Sequence, residues 1–455
     1  MFKYISWLVA AVAIGYGVRL TYSVYKVPDM PKLDLDRWWG QTPRPKEEDT
    51  SVRPFKVEFN DTVIVDLKKR IKNRRPLTPP LDGIQSEYGI NTVYLENLLT
   101  YWSEKYDFKK RAELLNRFPH YKTKIQGLDI QFIRVKPSVK NLKVLPLLVL
   151  HGWPSSSKEF DKMIPMLTTP KDGYDFAFEV IAADLPGFGF SEGTSKPGLN
   201  PVQIGIIMRN LVKRLGFNKF YVHAGDWGSQ AATHMVTIFP DEVMGFHTNM
   251  PLSASLKSVL KILLGSLAPS LTGEHYQRLY PLSQLQYIVR ESGYFHIMAT
   301  KPDTLGVSLT DSPTGLAAYI TEKMAVGTNR EQLDTPHGGL ESLELDDVLD
   351  TITIQWVNNC AVTSMRVYAE DYFASSPEVH RLHKIPTKVP TAAIKLKHEV
   401  MWQPDWVLRD KFPNLVQSTS LDLGGHYAAL EIPKVLADDI FAAATKFQKF
   451  HQGNV

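Results

Sequence analysis

Apolar and polar positions change rhythm several times along the chain. Residues 4–18 are almost continuously apolar, with Ile5, Trp7, Leu8, Val9, Val12 and Ile14 bracketed by Lys3 and Arg19. Extended to Tyr25, the run approaches the roughly 20 residues that span a bilayer. Residues 1–25 are therefore expected to form an uncleaved membrane anchor rather than a secretory leader. Arg19 and Lys26 follow the run and only Lys3 precedes it, which predicts a body on the cytoplasmic side. Residues 28–50 turn to proline, tryptophan and charge, an extended connector. Its Trp38-Trp39 pair has two readings: rings at the membrane interface, or rings packed on the body. Helix-spaced apolar positions then recur at Ile64, Leu67 and Ile71, and at Leu95, Leu98, Leu99 and Trp102. They make 26–122 a connector followed by a mainly helical N-terminal layer.

The period shortens to two over residues 123–135, where alternation around Gly127 predicts a hairpin. Unbroken apolar runs follow. Residues 144–150 lead into His151-Gly152-Trp153-Pro154, residues 178–183 into Asp184, and residues 219–223 into Ala224-Gly225-Asp226-Trp227-Gly228. Buried strands that alternate with helices and end in Gly/Pro-rich loops predict an α/β fold with a mostly parallel sheet. Its active loops lie at the strand carboxyl ends. After residues 244–250 the rhythm stops, and 251–384 read as a helical lid. The run 259–264, with Leu267, either lines an apolar passage open to a bilayer or packs the lid on the core. Strand patterns resume at 391–397 and 416–421, and a helix over 434–450 closes the chain. The core thus falls into two parts, 123–250 and 385–455.

Composition narrows the function classes. With 44% hydrophobic and 22% charged residues, the chain is globular. The net charge of +4 is spread out, with no dense basic run, so nucleic acid is not an expected partner. A single cysteine, Cys360, rules out an intrachain disulfide and a thiolate zinc site. Neither a P-loop, nor G-x-G-x-x-G after a strand, nor H-E-x-x-H occurs, so no cofactor and no metal are expected. Asn60-Asp61-Thr62 spells a glycosylation acceptor, which a cytoplasmic body does not use. Nothing in the sequence sets the oligomeric state.

The chemistry centres on residues 219–235, a strand pattern that turns abruptly into a helix pattern with Asp226 at the turn. Small residues on both sides give it the layout of a nucleophile elbow, with a carboxylate in place of serine. Serine suits a carbonyl substrate, but attack on a saturated carbon would convert it to an inert ether. Aspartate forms an ester instead, which a second step can hydrolyse. In this architecture an acid and then a histidine follow the nucleophile. Glu399, after strand 391–397, and His426, in Gly424-Gly425-His426 after the last strand, take those places, with Asp405 and Asp422 as alternative acids. The amides of Trp227 and Trp153 are the expected oxyanion donors. Gly189-Phe-Ser191-Glu-Gly193 spells G-x-S-x-G, but the glycines and prolines after it cannot enter a helix, so Ser191 is not an expected nucleophile. These residues alone leave open an epoxide hydrolase, a haloalkane dehalogenase-like enzyme, or a catalytically silent carrier of apolar ligands.

His151-Gly152-Trp153-Pro154, Ala224-Gly225-Asp226-Trp227-Gly228-Ser229, Gly424-Gly425-His426 and the N-terminal apolar run together resemble the microsomal epoxide hydrolase family of α/β-hydrolases. Within it, the chain is most similar to the juvenile hormone epoxide hydrolases of insects. The resemblance covers nearly the whole chain and implies a microsomal membrane enzyme acting on a lipophilic small-molecule epoxide. It also implies two lid tyrosines that protonate the epoxide oxygen, and local motifs place them at Tyr294 and Tyr368. Ala224 stands where many family members carry glycine, a change that a small residue tolerates.

Overall fold

The computed structural model describes residues 24–138, 142–282, 285–372 and 377–453, with residues 15, 19 and 22. The expected anchor therefore lies almost wholly outside the described residues. Among those that are described, no helix is long and apolar enough to cross a membrane.

Strands β1 (Arg53–Phe55), β2 (His120–Ile125), β3 (Leu128–Val135), β4 (Lys143–Leu150), β5 (Phe176–Ala183), β6 (Phe220–Ala224), β7 (Val243–Thr248), β8 (Thr391–Lys395) and β9 (Leu415–Ser420) make up one sheet. Among the described residues its order is β1-β2-β3-β5-β4-β6-β7-β8-β9. The β2–β3 pair is the expected hairpin, and it extends the sheet antiparallel on one side. From β5 to β9 every pairing is parallel. Every residue of β5, β6 and β8 is buried, as parallel strands covered on both faces require. Ala224 of β6 pairs with Leu150 of β4 on one side and with Thr248 of β7 on the other. The carboxyl ends of three central strands are thereby level, and the loops leaving them meet at one edge.

One face of the sheet is covered by helices Pro201–Arg214 and Asp226–Ile238, which bring Met208, Leu211, Ala231 and Met235 against Leu148 and Val222. The other is covered by Ile164–Thr168 and Pro433–His451, through Leu167, Leu436, Phe441 and Phe447. Each fully buried side chain of this size contributes about 1.5–3 kcal/mol. Phe447 lies so close to β7 that a Cβ on Gly245 would collide with its ring.

Between β7 and β8 the chain is a helical insertion, and the N-terminal helices Asp61–Lys72 and Thr92–Glu104 pack against its helix Pro313–Thr328. Their buried residues are those that helical spacing marks, Ile64, Leu67 and Ile71, and Leu95, Leu98, Leu99 and Trp102. Trp102 Nε1 donates to Thr353 Oγ1 at 2.9 Å, and the Tyr106 hydroxyl donates to Asp350 at 2.7 Å, so this layer braces the insertion. Asn60 caps the first of these helices, its Oδ1 accepting the Thr62 amide at 2.9 Å. The Asn60 triplet therefore serves as a helix start.

Two points have two readings in the sequence. For Trp38 and Trp39, the structure fits the reading in which the rings pack on the body. Trp39 is 1% exposed. Its amide donates to the Gln126 carbonyl at 2.8 Å, and a Cβ on Gly127 would lie 2.7 Å from the Trp38 ring. The connector is seated on the hairpin turn, where Gly127 has φ +88° and no side chain to obstruct it. In the run 259–264, Ile262 packs against Leu279, Tyr280 and Trp402, whereas Val259, Leu260, Leu263 and Leu264 are exposed.

Candidate active site

Asp226 is the first residue of helix Asp226–Ile238, directly after β6 and Gly225. Its φ of +45° turns the chain sharply and lifts the carboxylate above the sheet edge. The close fit leaves room for nothing larger nearby. A Cβ on Gly152 would collide with the carboxylate, and one on Gly228 with the carbonyls of Leu150 and His151. Ala224 is fully buried at the strand end, so its methyl is accommodated.

The Trp153 amide donates to Asp226 Oδ1 at 2.7 Å. The Trp227 amide lies in the first turn of the elbow helix, where amides have no intrahelical acceptor. Oδ2 faces the His426 imidazole, with Nε2 3.4 Å away. On the far side of the ring, Nδ1 is 2.6 Å from Glu399 Oε1. Glu399 is held in turn by the Val400 amide at 2.8 Å and by Asn249 Nδ2 at 3.3 Å. The structure thus brings Asp226, His426 and Glu399 into one line. It does not bring in the alternative acids: Asp405 pairs with Lys395 at 2.5 Å and exposed Asp422 with Arg278 at 2.7 Å. Ser191 is nearly buried, its hydroxyl donating to the Asp184 carbonyl at 2.8 Å and accepting the Gln131 amide at 2.9 Å. Those bonds fix a loop and leave no hydroxyl free to react.

Burial disfavours the charged imidazolium of His426, but the carboxylates of Glu399 and Asp226 more than offset it. Its pKa is raised well above the ordinary histidine value. The raised pKa favours the imidazolium form of His426.

Tyr294 and Tyr368, on helices Gly293–Thr300 and Ala361–Tyr372 of the insertion, lie beside the two tryptophans that flank Asp226 and feel its charge. Their rings are 6.2 Å apart. Tyr294 stacks on Trp153 at 5.7 Å, and Tyr368 meets Trp227 edge-on at 4.7 Å. Burial foremost, and the negative charge of Asp226 among the further causes, raise both phenol pKa values, so both are neutral donors.

Two neighbours escape sequence reasoning. Asn249, one residue past β7, reaches both Glu399 and the His426 carbonyl, and its side chain lies against Gly225. A polar residue at the end of a strand beside the elbow was the available signal. Tyr427 is buried, and its phenol is raised well above its ordinary pKa by burial first and then by Asp226. The insertion also holds the histidine loop: the Gly327 carbonyl accepts the His426 amide at 2.7 Å.

A charged nucleophile, a general base with its own orienting carboxylate and neutral phenols opposite can open a strained ring and hydrolyse the resulting ester. The family pattern described as epoxide hydrolase N terminus matches residues 52–160, and that of the alpha/beta hydrolase fold matches residues 146–272. Juvenile hormone epoxide hydrolase of Manduca sexta is 66% identical over 455 residues, covering 99% of this chain and 98% of that protein. Epoxide hydrolase 1 of Oryctolagus cuniculus is 43% identical over 445 residues, 95% of this chain and 97% of that one. The crystal structure of juvenile hormone epoxide hydrolase from the silkworm Bombyx mori matches with a TM-score of 0.90 at 44% identity, covering 92% of this chain and 100% of that one. With similarity over nearly its whole length, the chain belongs to the microsomal epoxide hydrolase family of the α/β-hydrolase fold.

Proposed function

We propose that the chain converts a lipophilic epoxide of the juvenile hormone type to its diol through a covalent ester on Asp226, without a cofactor. The substrate class rests on the names of the Manduca and Bombyx relatives. The route rests on one observation: Asp226 lies between the Trp153 amide and His426, near two neutral phenols that feel its charge. Oδ1 is held by the Trp153 amide at 2.7 Å and Oδ2 has only the longer 3.4 Å approach of His426 Nε2, so Oδ2 is the attacking atom. As it bonds to the ring carbon, the C–O bond of the epoxide breaks and Tyr294 or Tyr368 gives its proton to the leaving oxygen. The phenolate is neutralised by the proton that His426 carries. Ester formation removes the charge of Asp226, and with it one of the two carboxylates that raise the imidazole pKa. His426, oriented by Glu399, then takes a proton from water as the water attacks the ester carbonyl. The oxyanion forms on Oδ1 against the Trp153 and Trp227 amides, each donor being worth about 3 kcal/mol. Collapse breaks the bond between Cγ and Oδ2, the departing oxygen takes the remaining proton of the added water, and the diol leaves Asp226 as a carboxylate and His426 protonated.

A single turnover in H₂¹⁸O tests this route. Label is expected in the Asp226 carboxylate, seen in the mass of its peptide, while the first diol is unlabelled. Label in the first diol would mean direct attack by water and would overturn the ester route.

We also place the chain on the endoplasmic reticulum membrane as a single-pass protein with a cytosolic body. The apolar run over 4–18 and the cations that follow it support this.

A further inference from the structure

The helix Leu256–Gly265, the first of the insertion, is inside out. Leu256, Val259, Leu260, Leu263 and Leu264 form a stripe at spacings of three and four, and all are 40–66% exposed. Leu267 and Leu271, at 82% and 85% exposed, prolong it past the helix end. The side toward the body carries Ile262, packed against Leu279, Tyr280 and Trp402, and several polar groups. Ser258 is fully buried and bonded to Ser253 and Ser255, and Lys261 donates to Asp410 and to the Trp406 carbonyl. A helix that satisfies its polar groups inward and turns its leucines outward is built for apolar surroundings on its outer side.

The same place is where the N-terminal segment joins the body. Lys257 Nζ lies 5.6 Å over the Tyr25 ring. Tyr22, Tyr25, Val27 and Met30 are themselves 46–62% exposed. In the sequence the apolar run of residues 4–18 precedes Tyr22, and the leucine stripe adjoins Tyr25, which follows that run. Tyrosine is a residue of membrane–water interfaces.

We propose that the outer face of Leu256–Gly265, continued by Leu267 and Leu271, inserts into the acyl layer of the membrane beside the N-terminal anchor. The anchor tethers the body and this face sets its orientation, with the insertion lying against the lipid. The inference rests on the membrane-anchored reading above.

The test uses the full chain, carrying Leu264→Cys labelled with an environment-sensitive fluorophore and mixed with phosphatidylcholine vesicles. The native Cys360 is buried and does not compete for label. Val65→Cys, on an exposed position of helix Asp61–Lys72, is the control. In flotation with the vesicles, both variants are expected to rise with the lipid. The label at 264 should brighten about twofold and be quenched by lipids brominated in mid-chain, while that at 65 is unaffected. Flotation without quenching at 264 would overturn the inference and leave the anchor standing. Failure to float would overturn both. Cross-linking of 264 to a second copy, without lipid quenching, would show that a protein partner covers the stripe and would also overturn the inference.

Discussion

At the scale of single residues, the site depends on a charge that changes during the reaction. His426 is raised well above its ordinary pKa, against the effect of burial, by Glu399 and Asp226 together. A base that is charged at rest cannot accept a proton, so the second step needs that elevation to relax. Asp226→Asn imitates the neutral ester while keeping the shape of the side chain. It is expected to lower the His426 pKa, because one raising carboxylate is gone and the desolvation that lowers it persists. NMR titration of the imidazole in both proteins measures the shift, and equal pKa values would sink the proposed switch. Asp226, His426 and Glu399 were readable from the sequence because each follows a strand pattern in the expected order. Asn249 and Tyr427 were not. Their positions depend on how the loops after β7 and β9 meet beside the elbow, and no local pattern encodes that.

At the scale of elements, the insertion is half of the site. Helices Gly293–Thr300 and Ala361–Tyr372 pack together, and each contributes one phenol near the elbow, while Gly327 holds the histidine loop. Helical periodicity marked this region as helical but did not single out Tyr294 and Tyr368 among its tyrosines. A tyrosine that packs and one that protonates leave the same trace in the sequence, so the pair came only from the resemblance. The three-residue strand β1 was equally hidden, and the sequence offered packing of Trp38 and Trp39 on the body without the surface that receives them, the hairpin turn. If the phenols share the proton transfer, Tyr294→Phe and Tyr368→Phe should each slow ester formation by about ten- to a hundredfold, and the double variant by about 10⁴. Stopped-flow tryptophan fluorescence can follow this step, since Trp153 stacks on Tyr294 and Trp227 meets Tyr368 edge-on. A double variant at near the wild-type rate would transfer the donor role to Tyr427.

At the scale of the whole molecule, the N-terminal layer, the insertion and the sheet meet at one buried cluster of charges. Asp350 is fully buried and accepts from Tyr106 at 2.7 Å and from Arg111 Nε at 2.9 Å, both in the N-terminal layer. Lys158, in the loop after β4, lies 3.3 Å from Asp350 and 2.5 Å from Asp347. Burial of the Lys158 ammonium is more than offset by these two carboxylates, which raise its pKa. Gln355 of the same helix, Leu345–Val357, donates to the Pro154 carbonyl at 2.6 Å, beside Trp153. The brace is thereby coupled to the loop that supplies the oxyanion donor. Such a cluster is weak as a source of net stability, yet removing one member strands the others without water. Asp350→Asn keeps the volume and deletes the charge, leaving Lys158 and Arg111 to compete for Asp347 and Asp346. Its expected cost is about 3 kcal/mol, seen as a lower midpoint in chemical denaturation. Because all three parts share the cluster, the wild type should unfold in one transition by calorimetry and by tryptophan fluorescence alike. If the variant melted in two steps, with the sheet surviving the insertion, the cluster would be what joins the parts. If its midpoint were unchanged, the charges would be incidental to the assembly.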